Sequence, residues 1–226
     1  MKIYAVSDMH GRLDGLDPSG CDVCVVAGDF APLNGFSAAD VAAQAEWART
    51  VFVEWTAPFP HVQFVVVPGN HDLFLDPSRS LGSRVFWPAN MHLLIDRGET
   101  VAGLKFYGSP RVPVISGCWA FESRHEALDA AFSRIPPGVD VLVTHAPPRV
   151  QGCLCDVSLA YGDGGSRFGS TELAAAVAAR SPRLHFFGHI HTGDHEPFRF
   201  GGTVLRNVSR TDEAYRIAFE PAVVEI

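Results

Sequence analysis

Apolar residues fall along this chain in short, nearly unbroken runs rather than in alternation. Residues 3–6, 23–27, 62–67, 139–143 and 184–187 are dominated by β-branched or aromatic side chains, the pattern of strands buried on both faces. Between the second and third runs, residues 37–55 carry Val41, Ala45, Ala48 and Phe52 at helical spacing, with Ser37 placed to cap the first turn. Further helices are predicted over 122–134 and 170–180; Ser170-Thr171-Glu172 opens the second of these and Ser181-Pro182 stops it. Short runs at 92–95, 99–101 and 104–107, set around Gly98 and Gly103, predict antiparallel hairpins, and 202–208 and 214–219 repeat that style. Strand–helix–strand order then implies α/β layering, a mixed two-sheet core with helices outside.

The chain has 226 residues, 47% hydrophobic and 19% charged, which suits a single domain spanning 1–226, since a soft prior of roughly 150 residues per domain stretches to about 250. Lys and Arg number 18 against 25 Asp and Glu, for a net charge of −7. That balance argues against disorder and against an extended nucleic-acid surface, which needs many neutralising cations. No apolar run approaches the roughly 18 residues of a membrane span, and the N-terminal run is too short for a signal-peptide core. Five cysteines are too few for a disulfide framework in a chain this long, so a reduced, cytoplasmic protein is expected. Ten histidines and an excess of Asp over Glu, 15 against 10, are more informative, because His and Asp bind hard and borderline metal ions.

Each buried run delivers such a residue at its end. Residues 3–6 lead to Asp8-x-His10, 23–27 to Gly28-Asp29, and 62–67 to Gly69-Asn70-His71-Asp72; 139–143 lead to His145, and 184–187 to Gly188-His189-x-His191. In α/β sheets the carboxyl ends of strands gather at one edge, where ligands bind. Asp8, His10, Asp29, Asn70, His71, His145, His189 and His191 are therefore expected in one place. In extended chain the i and i+2 side chains of Asp8-x-His10 and of His189-x-His191 point the same way, so each pair is able to share an ion. The glycines before Asp29, Asn70 and His189 permit sharp turns and close approach. Carboxylate, imidazole and amide oxygen together suit two divalent ions, Mn, Fe or Zn, better than one structural zinc, which favours thiolates.

These blocks, in this order over residues 8–191, resemble the calcineurin-like metallophosphoesterase superfamily. Ala27-Gly28-Asp29-Phe30, Phe106-Tyr107-Gly108-Ser109-Pro110, Thr144-His145-Ala146-Pro147-Pro148 and Arg183-Leu184-His185-Phe186-Phe187-Gly188 resemble its small metallophosphodiesterase subgroup, typified by brain-expressed mammalian members. The resemblance implies a four-layer αββα two-sheet sandwich of mixed strands with helices on the outer faces. It also implies that Asp8, His10, Asp29 and His191 hold one ion and Asp29, Asn70, His145 and His189 the other. Two such ions activate a shared water and neutralise charge on phosphoryl oxygens. In the family's pattern His71 is no ligand but lies near the leaving-group oxygen, as general acid, worth about 10² to 10⁴ in rate, or as hydrogen-bond donor to the phosphate. Many relatives orient it with an acid three residues after the bridging Asp; here that position is Pro32. Asp72 is not assigned that task, since neighbouring side chains usually point apart. The Arg-Gly extension of protein serine/threonine phosphatases is missing as well.

Arg12 and Arg149 are candidate contacts to phosphate oxygens. Residues 151–166 form a Gly-rich, aperiodic stretch expected to be a lid or specificity loop. It contains Cys153-x-Cys155, which, like Cys21-x-x-Cys24, lacks the partners a zinc site needs. Histidines 61, 92, 125, 185 and 195 are expected on the surface or in packing, and so are the tryptophans, with Trp119 a candidate for the cleft wall. The expected function is metal-dependent hydrolysis of a small phosphodiester, with cyclic nucleotides among the candidates. A phosphomonoesterase or nuclease of the same superfamily, or a non-catalytic protein-binding scaffold, is the alternative; a scaffold predicts eroded ligands, and all eight positions are filled.

Overall fold

The computed structural model describes residues 1–79, 85–158 and 165–226; residues 159–164 of the expected lid loop lie outside that description. The chain begins with β1 (Lys2–Val6) and β2 (Val23–Ala27), then helix α1 (Ala38–Trp47), a π-helical turn (Ala48–Phe52) and α2 (Val53–Thr56). Strands β3 (Gln63–Val67), β4 (Met91–Leu93), β5 (Arg97–Val101) and β6 (Leu104–Ser109) follow, then the two-residue strands β7 (Val112–Pro113) and β8 (Glu122–Ser123), and α3 (His125–Phe132). The remainder is β9 (Val141–Thr144), the short β10 (Val157–Ser158) and β11 (Ser166–Arg167), α4 (Thr171–Arg180), β12 (Leu184–Phe187), β13 (Phe198–Phe200), β14 (Thr203–Asn207) and β15 (Ala222–Glu225).

One sheet has the order β15-β1-β2-β3-β4, parallel except for β15. The other has the order β13-β14-β12-β9-β6-β5, parallel through its centre with antiparallel hairpin edges. Alternation along each strand divides its residues between two cores. Ile3, Ala5, Val25, Val65 and Val67 pack against Phe106, Val141, Val143 and Phe186 of the opposing sheet. Tyr4, Val6, Cys24, Val26 and Val66 pack outward on the helical segment through Val41, Ala45 and Phe52. On the far side Leu142, Phe187 and Leu205 meet Leu128 and Phe132 of α3 and Leu173 and Val177 of α4. Both faces of each central strand are thus dry, which is why the strands read as unbroken apolar runs, and the result is the four-layer αββα sandwich.

Three expected elements differ. Residues 92–95 do not form a hairpin with their neighbours: β4 pairs parallel with β3, and the hairpin is β5–β6 alone. Helix α3 starts at His125 rather than at 122, because Glu122 is a β8 residue whose carboxylate collects the amides of Ile115, Ser116, Gly117 and Trp119. Residues 214–219 form no strand; Ala218 and Phe219 donate to the Arg210 carbonyl, and the last strand is β15. The Ser37 cap is present with a reciprocal bond to Asp40, and Ser170 caps α4.

His185 sits in the middle of this packing, fully buried on β12. Thr144 Oγ1 donates to the Ala146 carbonyl, so His185 Nε2 donates to Thr144 at 2.8 Å and its Nδ1 has no partner. Burial pushes this imidazole down to about 3. A base whose folded pKa is depressed is neutral in both states above its ordinary value near 6.5. Below that the unfolded chain takes up a proton that the fold refuses, and stability falls by about 1.4 kcal/mol per pH unit. His185→Phe, close in shape, should therefore narrow the gap between stability at pH 8 and at pH 5 by about 2 kcal/mol in urea denaturation. Parallel pH dependences for the two proteins would refute this.

Candidate metal centre

Five strand ends converge at the carboxyl edge of the two sheets. β1 is followed by Asp8 and His10, β2 by Asp29, β3 by Asn70 and His71, β9 by His145, and β12 by His189 and His191. The chain leaves the strands sharply: Asp8, His10, Asp29 and His189 all have positive φ, between 46° and 71°. Such conformations cost roughly 1–3 kcal/mol each and persist only where surroundings over-determine them. Here they are held by bonds from Asp8 N to the Gly28 carbonyl, His10 N to the Asp29 carbonyl, and His189 N to the Asp8 carboxylate. The extended i, i+2 geometry expected of Asp8-x-His10 and His189-x-His191 is therefore replaced by left-handed turns. Asp8 and His10 still converge, but on His191; His189 instead lies with its ring 5.0 Å from that of His145.

Glycines frame the cluster because it leaves no room for more. A Cβ on Gly28 would overlap the His145 ring, one on Gly69 the Asp29 carboxylate, and one on Gly188 the Asp8 carboxylate and Ser7 hydroxyl.

Candidate donor atoms form three overlapping groups, Asp8–His10–His191, His10–Asp29–His71 and Asp8–Asp29–His145, in each of which they lie within 4.8 Å of one another. His145 gives Nδ1–H to the Ala27 carbonyl at 2.9 Å, which leaves Nε2 as a lone pair facing Asn70 Oδ1 at 3.0 Å and Asp29 Oδ2 at 3.3 Å. His191 gives Nδ1–H to the Asp212 carbonyl at 3.0 Å, and its Nε2 faces Asp8 Oδ1 at 3.3 Å and His10 Nε2 at 3.4 Å. At both imidazoles an inward Nε2 lone pair thus faces a carboxylate oxygen, a repulsion that a bound cation or a proton relieves. Protons meet that need without ions: burial opposes charge on His145 and His191, yet Asp29 and Asp8 respectively hold each up to about 9. The same contacts outweigh burial at the carboxylates and hold Asp8 and Asp29 well below the usual range. Burial lowers His10 to about 4 and His189 to about 3, so both offer neutral nitrogens. Oxygen and imidazole donors, backbone-fixed tautomers and a cradle closed to any added Cβ fit divalent ions.

Several residues outside the set of candidates read from the sequence support the cluster. Ser209, just past β14, donates to Asp8 Oδ2 at 2.7 Å, and Thr211 to the Asp8 carbonyl. Asp72 is buried and accepts from Gly69 N at 2.7 Å and Ala31 N at 2.9 Å; burial, with Asp29 nearby, pushes it up to about 7. Gln44 of α1 donates to the carbonyls of His71 and Pro32. Ser209 has no strand-end signal in the sequence, because it follows Arg206-Asn207-Val208 rather than an unbroken apolar run. Ser209→Ala should weaken metal binding about 10- to 100-fold, the usual effect of removing an outer partner of a ligand, without unfolding the protein. Calorimetric metal titration beside a thermal melt checks it, and an unchanged affinity would sink the assignment.

His71 is placed beside the cluster, its Nε2 3.8 Å from Asp29 Oδ2 and its backbone N–H on Asp29 Oδ1 at 2.7 Å. No acid stands at position 32; the His71 ring is stacked by Trp119 at 4.4 Å and 27°, and His10 meets it edge-on. Trp119 thus does line the cleft. Arg12 is exposed and lines a hollow of about 360 Å³ on the His71 side. Arg149 is exposed with its N–H on the Ser170 carbonyl, and among the described residues it lines neither that hollow nor the second one, of about 310 Å³, beside His189. Cys153 and Cys155 are buried and unpaired under α4, in the outer core rather than at the site.

The family model for calcineurin-like phosphoesterases matches residues 1–193. The chain belongs to this family. Among relatives of this calcineurin-like phosphoesterase, human metallophosphoesterase domain-containing protein 1 is 32% identical over 248 aligned residues, covering 100% of this chain and 71% of that protein. The fold is shared with TT1561 of Thermus thermophilus, at TM-score 0.60 and 15% identity over 98% of this chain and 97% of that one. It is shared also with the phosphopantetheinyl hydrolase PptH of Mycobacterium tuberculosis, at TM-score 0.52 and 20% identity over 92% and 88% of the two chains. Family and donor set together make this phosphoesterase metal-dependent. Among the described residues no helix is long and apolar enough to cross a membrane.

Proposed function

We propose that the chain hydrolyses small phosphodiesters at a centre of two divalent ions, manganese, iron or zinc. The observation that carries the reading is the Asp29 carboxylate, which groups with His10 on one side and with His145 on the other; a shared carboxylate is what a two-ion site needs between its halves. Asp8, His10, Asp29 and His191 make one half, and Asp29, Asn70, His145 and His189 the other. Bound there, such ions supply a water of lowered pKa and screen the phosphoryl charge.

The chain's own residues do the rest. The Ala27 and Asp212 carbonyls fix the tautomers of His145 and His191 so that both Nε2 atoms face inward. His71 Nε2, at the rim and outside both ligand sets, carries the proton for the departing ester oxygen, and Arg12 steadies a phosphoryl oxygen. Two separate hollows beside the centre, at His71 and at His189, suit a phosphorus with two ester substituents, where a monoester needs one. Five unpaired cysteines accord with a reducing, cytoplasmic setting.

Chelator-stripped protein reloaded with manganese should hydrolyse bis(p-nitrophenyl) phosphate faster than p-nitrophenyl phosphate, and cyclic nucleotides are the diesters to assay next. Preference for the monoester would overturn the diester assignment, and no metal-restored turnover on either ester would overturn the enzymatic reading.

A further inference from the structure

The two hollows beside the centre differ in chemistry. The one at His189 is walled mainly by Pro113, Val114, Ile115 and Ile190, with Phe168 as its one benzyl ring among the described residues. The one at His71 is walled by rings: His10, His71, Trp119 and Tyr215, over a floor of Pro32 and Leu33. These rings are ordered against one another. Tyr215 meets His10 edge-on at 4.6 Å and 79°, Trp119 lies nearly parallel to His71, and Phe36 backs Trp119 edge-on at 5.0 Å.

The wall is also rigid before any ligand arrives. One carboxylate, that of Glu122, accepts the backbone amides of Ile115, Ser116, Gly117 and Trp119 at 2.5 to 3.1 Å. Ala120 N adds a bond to the Asn70 carbonyl, and Arg79 one to the Cys118 carbonyl. An aromatic surface fixed in this way binds a flat ring without the cost of ordering a loop.

We infer that the His71-side hollow is the leaving-group subsite and selects diesters whose departing alcohol carries a planar aromatic ring. The inference rests on the two-ion phosphoesterase reading, because His71 marks the leaving side only if it protonates the ester oxygen. Given that, the group expelled is the one lying among Trp119, Tyr215 and the imidazoles, while the ester retained on phosphorus lies along the aliphatic wall by His189. Ring-on-ring contact adds about 0.5–1.5 kcal/mol beyond plain burial, which converts to roughly 2- to 12-fold in affinity. A saturated ring of equal bulk gains only the burial.

The test uses inert phosphinates, in which carbon replaces both ester oxygens of a diester, so binding is read without turnover. Benzyl(methyl)phosphinate and cyclohexylmethyl(methyl)phosphinate are titrated calorimetrically into the manganese-loaded full chain. The benzyl compound should bind roughly 2- to 12-fold tighter, and Trp119→Leu and Tyr215→Leu should each shrink that preference, with Trp119→Phe retaining most of it. Equal affinities in the unaltered protein, or a preference that survives both leucine variants, would overturn the aromatic subsite and leave the phosphoesterase reading standing. Failure of both phosphinates to bind would overturn that reading, and the subsite with it.

Discussion

Asp29→Asn should lose metal and turnover together. The substitution keeps the size of the side chain and one oxygen able to accept the His71 amide, a bond now made to Asp29 Oδ1 at 2.7 Å, so the turn after β2 has what it needs to form. What disappears is the negative charge that lies 3.3 Å from His145 Nε2 and 3.8 Å from His71 Nε2 and takes part in two of the ligand groups. Removing an outer partner of a ligand already costs about 10- to 100-fold in metal affinity; removing a ligand common to both ions should exceed that. Turnover on bis(p-nitrophenyl) phosphate should fall with occupancy, by more than about 100-fold. Elemental analysis of purified protein, beside the assay, checks the two quantities at once. A variant that retains two ions per chain and ordinary turnover would refute Asp29 as the shared ligand.

The parts of this site that were legible in the sequence share one physical cause. Strands covered on both faces carry few polar side chains, buried His185 of β12 being one, so Asp8, Asp29, Asn70, His145 and His189 stand out where each run stops. Convergence then follows from the parallel arrangement in each sheet. What the sequence concealed belongs to the backbone and to long-range partners. Left-handed φ at Asp8, His10 and His189 has only a weak signature outside glycine, a modest enrichment of Asp and His, and it is what separates His189 from His191. The carbonyls of Ala27 and Asp212, which fix two imidazoles, can be supplied by any residue type. Ser209 reaches Asp8 across 201 positions, and Glu122, which helical periodicity assigns to α3, commits its carboxylate to a loop. Residues 214–219 look like a strand by composition, yet Tyr215 is needed at the cleft, ring-to-ring with His10. Local pattern therefore located the donors, while long-range contacts decided how they are oriented.

His71→Ala separates chemistry from metal binding. Its imidazole belongs to one cluster with His10 and Asp29, but the two proposed ligand sets are complete without it, and its Nε2 stands further from Asp29 than that of His145 does, 3.8 against 3.3 Å. Metal content should therefore stay at the unaltered level. Turnover should fall by about 10² to 10⁴, the range for a positioned general acid, and by an amount that depends on the ester. An alcohol that departs as a poor anion needs the proton and should show the full loss; p-nitrophenolate, stable as an anion, should show much less. Pro32 in place of an acid leaves the ring to be oriented by Trp119 stacking and by its own backbone bonds to Asp29 and Gln44, none of which an alanine disturbs through the main chain. The decisive measurement is the slope of log kcat/KM against leaving-group pKa for aryl methyl phosphates in both proteins. A steeper slope in the variant is expected once proton donation is lost, whereas equal slopes with a uniform drop would assign His71 to holding the phosphate instead. A fall in bound metal that accounts for the lost rate would make it a ligand.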